Sequence, residues 1–241
     1  MVMSAIYDFS GSVVLVSGGA SGIGAATARA CAGRGARVIV ADVNERGLAA
    51  ISGVPGIETH RLDVADAGAV AALVAGIGRV DAAVLCAAIQ RRTPVDEITD
   101  AEWRRHMAVN VDGAFHFVRA VVPLMRRQRS GAILAFTSGL VNMGWPGASA
   151  YAASKGALIG LIRCVAQELQ PHGVRANVLS PGLVATPVFL DVATEDEVAM
   201  YRESVGISEP EDVVPTVLHL ISDASRHLTG AVIERRLVPA R

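Results

Sequence analysis

Cysteine is scarce in this chain: Cys31, Cys86 and Cys164 are odd in number, far apart, set among apolar neighbours and without a CxxC pair. That argues against a disulfide framework or thiolate metal site and reads as reduced core residues. The six histidines, His60, His106, His116, His172, His219 and His227, include no HExxH and no i, i+4 pair, so no dedicated metal site is expected. An excess of either charge is also missing. The net charge is −1, and the basic residues cluster only at Arg126, Arg127 and Arg129, which suits a helix C-terminus facing water rather than a nucleic-acid surface. Hydrophobic residues make up 51% of the chain, yet the longest suspect run, 67–89, is broken by Gly76, Gly78, Arg79 and Asp81. It reads as a buried helix followed by a buried strand, not a membrane span. No basic segment followed by an apolar run opens the chain, and a cytoplasmic protein is expected.

What is present is alternation. Short β-branched runs, SVVLVSGG, ARVIVAD, IETHRLDV, DAAVLCAA, GAILAFTS, GVRANVLSP and GAVIERRL, are separated by stretches of helical character. The first of these is IGAATARACAGRG, and others fall near 44–51, 66–77, 101–129, 149–171 and 210–222. Strand, helix, strand, repeated throughout, predicts parallel pairing with right-handed crossovers; nearly continuous apolar strands predict helices on both faces. The expected fold is a single α/β domain of 241 residues built on a doubly wound parallel sheet of about seven strands. The one long connection without strong pattern runs from about 182 to 208.

In such sheets ligands bind beyond the carboxyl ends of the strands. The first strand ends in SGGASGIG, where Gly18, Gly22 and Gly24 lead into a helix and allow backbone to approach a pyrophosphate, although the spacing is not GxGxxG. The second ends in Asp42, 18 residues past Gly24, where an acid can accept hydrogen bonds from ribose hydroxyls and repel a 2′-phosphate. With Ser21 supplying no cation, NAD is favoured over NADP; Arg46 keeps NADP in view. Further on, AYAASKGAL places Tyr151 and Lys155 one helical turn apart. A phenol beside an ammonium makes an acid or a base; the spacing alone equally allows a solubilising surface pair.

Taken together, these residues resemble the short-chain dehydrogenase/reductase family over nearly the whole chain. The family's TGxxxGIG stands here as Ser17-Gly18 through Gly22-Ile23-Gly24, and its serine, thirteen residues before the YxxxK pair, as Ser138 with Tyr151 and Lys155. Its helical asparagine matches Asn110, its adenine-contacting pair Asp63-Val64, and its PG motif with a later threonine Pro181, Gly182 and Thr186.

The resemblance implies a Rossmann fold and hydride transfer between NAD(H) and a secondary alcohol or ketone. Tyr151 would be the acid/base, Lys155 would lower the phenol's pKa and hold the nicotinamide ribose, Ser138 would bind the substrate oxygen, and Asn110 would position a relay water. Gly18, Ser21, Gly22, Ile23, Gly24, Asp42, Asp63, Val64, Ala87, Tyr151, Lys155, Pro181, Gly182 and Thr186 would contact the cofactor. An NADPH-dependent 3-oxoacyl thioester reductase and a non-catalytic NAD-sensing protein are the alternatives; Asp42 disfavours the first, the retained tyrosine and lysine the second. A homotetramer or homodimer, paired through 101–129 and 149–171, is implied as well.

Two motifs depart from the family. Its NNAG is replaced by Leu85-Cys86-Ala87-Ala88 and its C-terminal VDGG by Arg235-Arg236-Leu237-Val238. The first bears on cofactor binding, the second on subunit geometry. Around the reacting carbon the resemblance places Leu140, Val141, Met143, Trp145, Val188, Phe189 and Leu190, an apolar set that favours a mainly apolar substrate. Among Gln90, Arg91 and Arg92, an inward arginine would instead pair with a substrate anion. Segment 187–208 is expected to be a mobile lid.

Overall fold

In the computed structural model, residues 7–236 are described. Their strands are β1 (Val13–Ser17), β2 (Arg37–Asp42), β3 (Ile57–Arg61), β4 (Ala82–Leu85), β5 (Gly131–Phe136), β6 (Val174–Ser180) and β7 (Val232–Glu234). All pair in parallel, in the order 3-2-1-4-5-6-7. β1 and β4 are buried at every position, as strands covered on both faces must be. The period of two divides β1 between two cores. Val13 and Leu15 join the one that includes Phe117, Val121, Leu158 and Ile162, while Val14 and Val16 join the one that includes Ala28, Val213 and Val217.

The covering helices are α1 (Gly22–Ala32), α2 (Glu45–Ile51), α3 (Ala67–Ile77), α4 (Asp100–Met107), α5 (Gly113–Gln128), α6 (Leu140–Met143), α7 (Ser149–Leu169), α8 (Pro187–Leu190), α9 (Glu195–Ser204) and α10 (Pro210–Ile221). Side chains accepting from first-turn N–H groups start several of them: Asn44 for α2, Asp66 for α3, Thr99 for α4. The expected single helix 101–129 is helical throughout, but a π-helical segment, Ala108–Asp112, separates α4 from α5. Asn110 lies in this segment, and such register breaks recur at functional sites.

Two further expectations need correction. Cys164 lies exposed on α7, so only Cys31 is a fully buried core cysteine, and Cys86 is half-buried. The last strand is three residues long, not the eight of GAVIERRL, because after Arg235 N–H bonds the Ser180 carbonyl the pairing with β6 has run out; Leu237 and Val238 lie outside the described residues. Among the described residues, no helix is long and apolar enough to cross a membrane.

Candidate active site

The carboxyl ends of β1, β2, β4, β5 and β6 open on one cavity, and every residue expected to contact a cofactor lines it, as does Ser138. The glycine turn closes this cavity's floor. Gly18 has φ +67°, and a Cβ there would stand 2.5 Å from the Ala87 backbone nitrogen; a Cβ on Gly24 would collide with the Gly18 carbonyl. Both glycines are thus required by the protein's own packing, whatever is bound. The fit to an anion comes from α1: Ser21 at its N-cap makes no side-chain capping bond, and the first turn carries no acid. Its first N–H groups are left for a phosphate at the cavity.

Asp42 is held by two backbone donors, Ala20 N–H and Asn44 N–H, each at 2.9 Å, one to each carboxylate oxygen. Each oxygen keeps a lone pair for a ribose hydroxyl. Asp63 accepts from Ala65 N–H (3.0 Å) and pairs with Arg105 at 3.0 Å. Burial works against the Asp63 carboxylate, but these two donors hold its pKa below the usual value. Arg105 lines the same cavity, and sequence reading missed it. Nothing local marks it: its partner is 42 residues away. Val64 is buried against Gly113, where a Cβ would lie 2.5 Å from its Cγ2.

Asn110 does not line the cavity but stands behind it, 1% exposed. Its carboxamide accepts from Ile89 N–H (2.8 Å) and donates to the Ile89 carbonyl (2.9 Å) and to Ser154 Oγ (2.9 Å). Ser154 in turn donates to the Tyr151 carbonyl at 2.7 Å. With both amide hydrogens used, the side chain ties the segment after β4 to α7 and has only one carbonyl lone pair left for the water expected of it. This brace supports the segment that has lost the family's two asparagines, replaced by buried Leu85 and half-buried Cys86.

Tyr151 and Lys155 are 8% and 3% exposed, with the ammonium 5.8 Å from the phenol ring centroid. Lys155 Nζ donates to the Phe136 carbonyl (3.0 Å), and the Thr137 hydroxyl donates to the Lys155 carbonyl (3.0 Å), so the end of β5 and the residue after it fix the lysine at both ends. The expected lowering of the phenol is not a property of the polypeptide alone. Burial pushes Tyr151 up to about 12 against a downward pull from Ser138, and burial pushes Lys155 down to about 8 against the Cys86 sulfur. Desolvation wins because the Lys155 ammonium bonds the Phe136 carbonyl, 5.8 Å from the phenol ring centroid, and makes no hydrogen bond to the phenol oxygen.

The connection after β6 returns on itself. Val184 and Ser208 form a parallel bridge, and Arg235 donates to Ser208 Oγ (2.9 Å) and the Pro181 carbonyl (3.1 Å). Gly182 lies against the Arg235 carbonyl with φ +80°, and Thr186 meets Gly22. Of the apolar residues expected around the reacting carbon, Val188 and Phe189 line the cavity. Leu140, Val141, Met143, Trp145 and Leu190 do not; α6 is drawn aside by Asn142, which donates to Glu234 at 3.0 Å, and Met143 and Leu190 are exposed. Trp145 instead clusters with Phe189 and Tyr201 at ring separations of 6.3 and 6.5 Å. Neither Arg91 nor Arg92 lines the cavity. Arg91 is exposed, and the Arg92 guanidinium lies 4.0 Å over Trp145 and bonds Glu197.

Residues 18–234 match the profile of a family described as enoyl-(acyl carrier protein) reductase. A 3-oxoacyl-(acyl carrier protein) reductase of Thermotoga maritima is 35% identical over 234 residues, covering 92% of this chain and 95% of that one. The 2,3-dihydro-2,3-dihydroxybenzoate dehydrogenase of Escherichia coli is 37% identical over 238 residues, covering 92% and 94%. Among solved structures, a 3-oxoacyl-(acyl carrier protein) reductase of Brucella melitensis superposes with a TM-score of 0.86 at 30% identity, covering 97% of this chain and 96% of that one.

Proposed function

This chain belongs to the short-chain dehydrogenase/reductase family of oxidoreductases, and we propose that it moves hydride between NAD(H) and a secondary alcohol or ketone, with Tyr151 as acid and base. The observation that carries this reading is the burial of Tyr151 and Lys155 on adjoining turns of α7, facing one cavity with Ser138. A merely solubilising pair would be exposed.

The nicotinamide, when bound, supplies or accepts the hydride. The N–H groups at Gly22 to Gly24 would hold its pyrophosphate, Asp42 the adenosine ribose, and Asp63 with Val64 the adenine. Ala87, Lys155, Pro181, Gly182 and Thr186 would hold the nicotinamide end. Ser138 donates a hydrogen bond to the substrate oxygen, and Tyr151 gives that oxygen its proton during ketone reduction. The phenolate left behind is stabilised by the Lys155 ammonium. A phenol lifted to about 12 is protonated at neutral pH, which is the state reduction requires. Oxidation needs it deprotonated, so oxidation is the direction that gains with rising pH. Asn110 contributes by bracing the segment after β4 against α7.

NAD is the preferred dinucleotide in this reading, since Asp42 is anchored where a 2′-phosphate would meet its charge; Arg46 does not line the cavity. NADPH-linked reduction of a 3-oxoacyl thioester is the second reading, favoured by what the Thermotoga and Brucella relatives are named for. α8 and α9 would form a lid over the substrate. Trp103 on α4 and Phe115 on α5, 42% and 41% exposed, suit a face buried in a homodimer or homotetramer. Initial rates on secondary alcohols, hydroxysteroids, polyols and hydroxyacyl thioesters, each with NAD and with NADP, test the reading. Turnover of an alcohol with NAD supports it, and turnover confined to thioesters with NADP refutes it.

A further inference from the structure

Gln90 is the polar group of this cavity that the proposed chemistry leaves unused. Its Nε2 is buried and has no hydrogen-bond partner, yet the residue lines the cavity together with Ser138 and Tyr151. A buried amide donor without a partner is costly, and an instance in a folded protein calls for a reason. Chance mobility is not that reason. Both the N–H and the carbonyl of the preceding Ile89 are tied to Asn110, at 2.8 and 2.9 Å, so the backbone that carries Gln90 is fixed from one side. Ile89, Val188 and Phe189 line the same cavity and offer the carboxamide nothing polar.

The charges around it narrow the ligand. Of the cationic side chains lining the cavity, Arg105 pairs with Asp63, and Lys155, which also donates to the Phe136 carbonyl, is the one assigned above to the nicotinamide end and the Tyr151 phenolate. Arg92, one loop position beyond its neighbour, is engaged by Glu197 and Trp145. Among the described residues, no further cation lines the cavity to receive a substrate carboxylate or phosphate. What remains for Gln90 is an uncharged oxygen. A hydroxyl suits it best, because a hydroxyl accepts from the amide nitrogen or donates to the amide oxygen.

We propose that Gln90 is a specificity-determining residue that hydrogen-bonds a second, neutral oxygen of the substrate, which is thus a ketone or secondary alcohol carrying a hydroxyl near the reacting carbon. This rests on the oxidoreductase reading above and narrows it: the pocket takes one extra polar group in an otherwise apolar wall, neither a plain hydrocarbon ketone nor an anion.

The test compares matched neutral ketones with NADH: butanone against acetoin, cyclohexanone against adipoin, acetophenone against its α-hydroxy derivative. Wild-type protein should favour the hydroxylated member of at least one pair in kcat/KM by about tenfold or more, as sites built to bond a hydroxyl do. Gln90→Met keeps the length and removes the amide; its preference should fall to about unity with NADH affinity unchanged. Gln90→Leu serves as a second truncation. Calorimetry adds a readout without turnover: the diol product should bind the protein with NADH more weakly in either variant. The same preference in wild type and variants, or none in wild type, overturns the role of Gln90 while leaving the oxidoreductase reading intact. If the wild-type protein binds NADH and reduces no ketone of the set or of the wider alcohol panel, both fall together.

Discussion

Arg92 and Glu197 are joined by two hydrogen bonds from one guanidinium nitrogen, at 2.8 and 2.7 Å, across 105 residues of sequence. Arg92 lies on the loop after β4, Glu197 on α9, and the guanidinium also stacks over Trp145 on the segment after Ser138. All three segments expected to surround the reacting carbon meet at this one side chain. Glu197 doubles as the capping-box acid of α9, receiving Thr194 N–H at 2.9 Å.

Arg92→Ala should therefore loosen the proposed lid. Amide exchange in residues 187–208 is expected to speed up in the ligand-free protein, and KM for substrate to rise severalfold while cofactor affinity holds. A partly exposed pair of this kind contributes only about 1 kcal/mol, so the fold itself should survive. Exchange that matches wild type would remove Arg92 from any role in holding α8 and α9.

The buried pair at the site gives stability a definite pH dependence. Lys155 falls from its ordinary 10.5 to about 8, so between those values the unfolded chain binds the extra proton and stability rises with pH. Tyr151 climbs from 10.0 to about 12; above 10 the unfolded chain sheds a proton that the folded one keeps, and stability falls again. Cys31 and Cys86, both lifted by burial from 9.0 to about 12, act in the same sense as Tyr151 from pH 9 upward, so the ligand-free protein should be most stable near pH 9. Lys155→Met should flatten the rising limb and stabilise the protein below pH 8, by up to about 3 kcal/mol. Urea titrations across that range check it, and a rising limb that persists in the variant would contradict the assignment.

Asp42→Ser should shift cofactor choice toward NADP by about tenfold or more, since one charge and two ribose acceptors are removed at once. Dissociation constants for both dinucleotides, taken from nicotinamide fluorescence, decide the matter. A wild-type protein that already binds NADP more tightly would defeat the argument.

The parts of this molecule that could be read from sequence are those carried by near neighbours in the chain. Gly18, Gly22 and Gly24 mark a turn because the turn's own atoms collide with any Cβ, and Tyr151 and Lys155 mark a helical face because four residues make one turn. The parallel sheet follows from the alternation with helices, whereas its strand order does not. What escaped reading depends on partners far along the chain. Arg105 meets Asp63, Arg92 meets Glu197, and Arg235 meets Ser208 across separations for which sequence carries no period. The π-helical break at Asn110 escaped as well: the partners of its side chain, Ile89 and Ser154, are brought together only by the fold. The direction of the phenol's shift turned on how deeply the fold buries Tyr151, which no local pattern reveals.

Tyr151→Phe tests the central claim most directly, because it deletes one oxygen and keeps the ring that fills the buried position. Measured on whichever alcohol the panel identifies, kcat should drop by about a thousandfold, the scale of a lost general acid, while the dissociation constant for NADH stays within about twofold. Activity retained within about tenfold of wild type, with cofactor binding intact, would contradict the assignment of Tyr151 as the proton-transferring group.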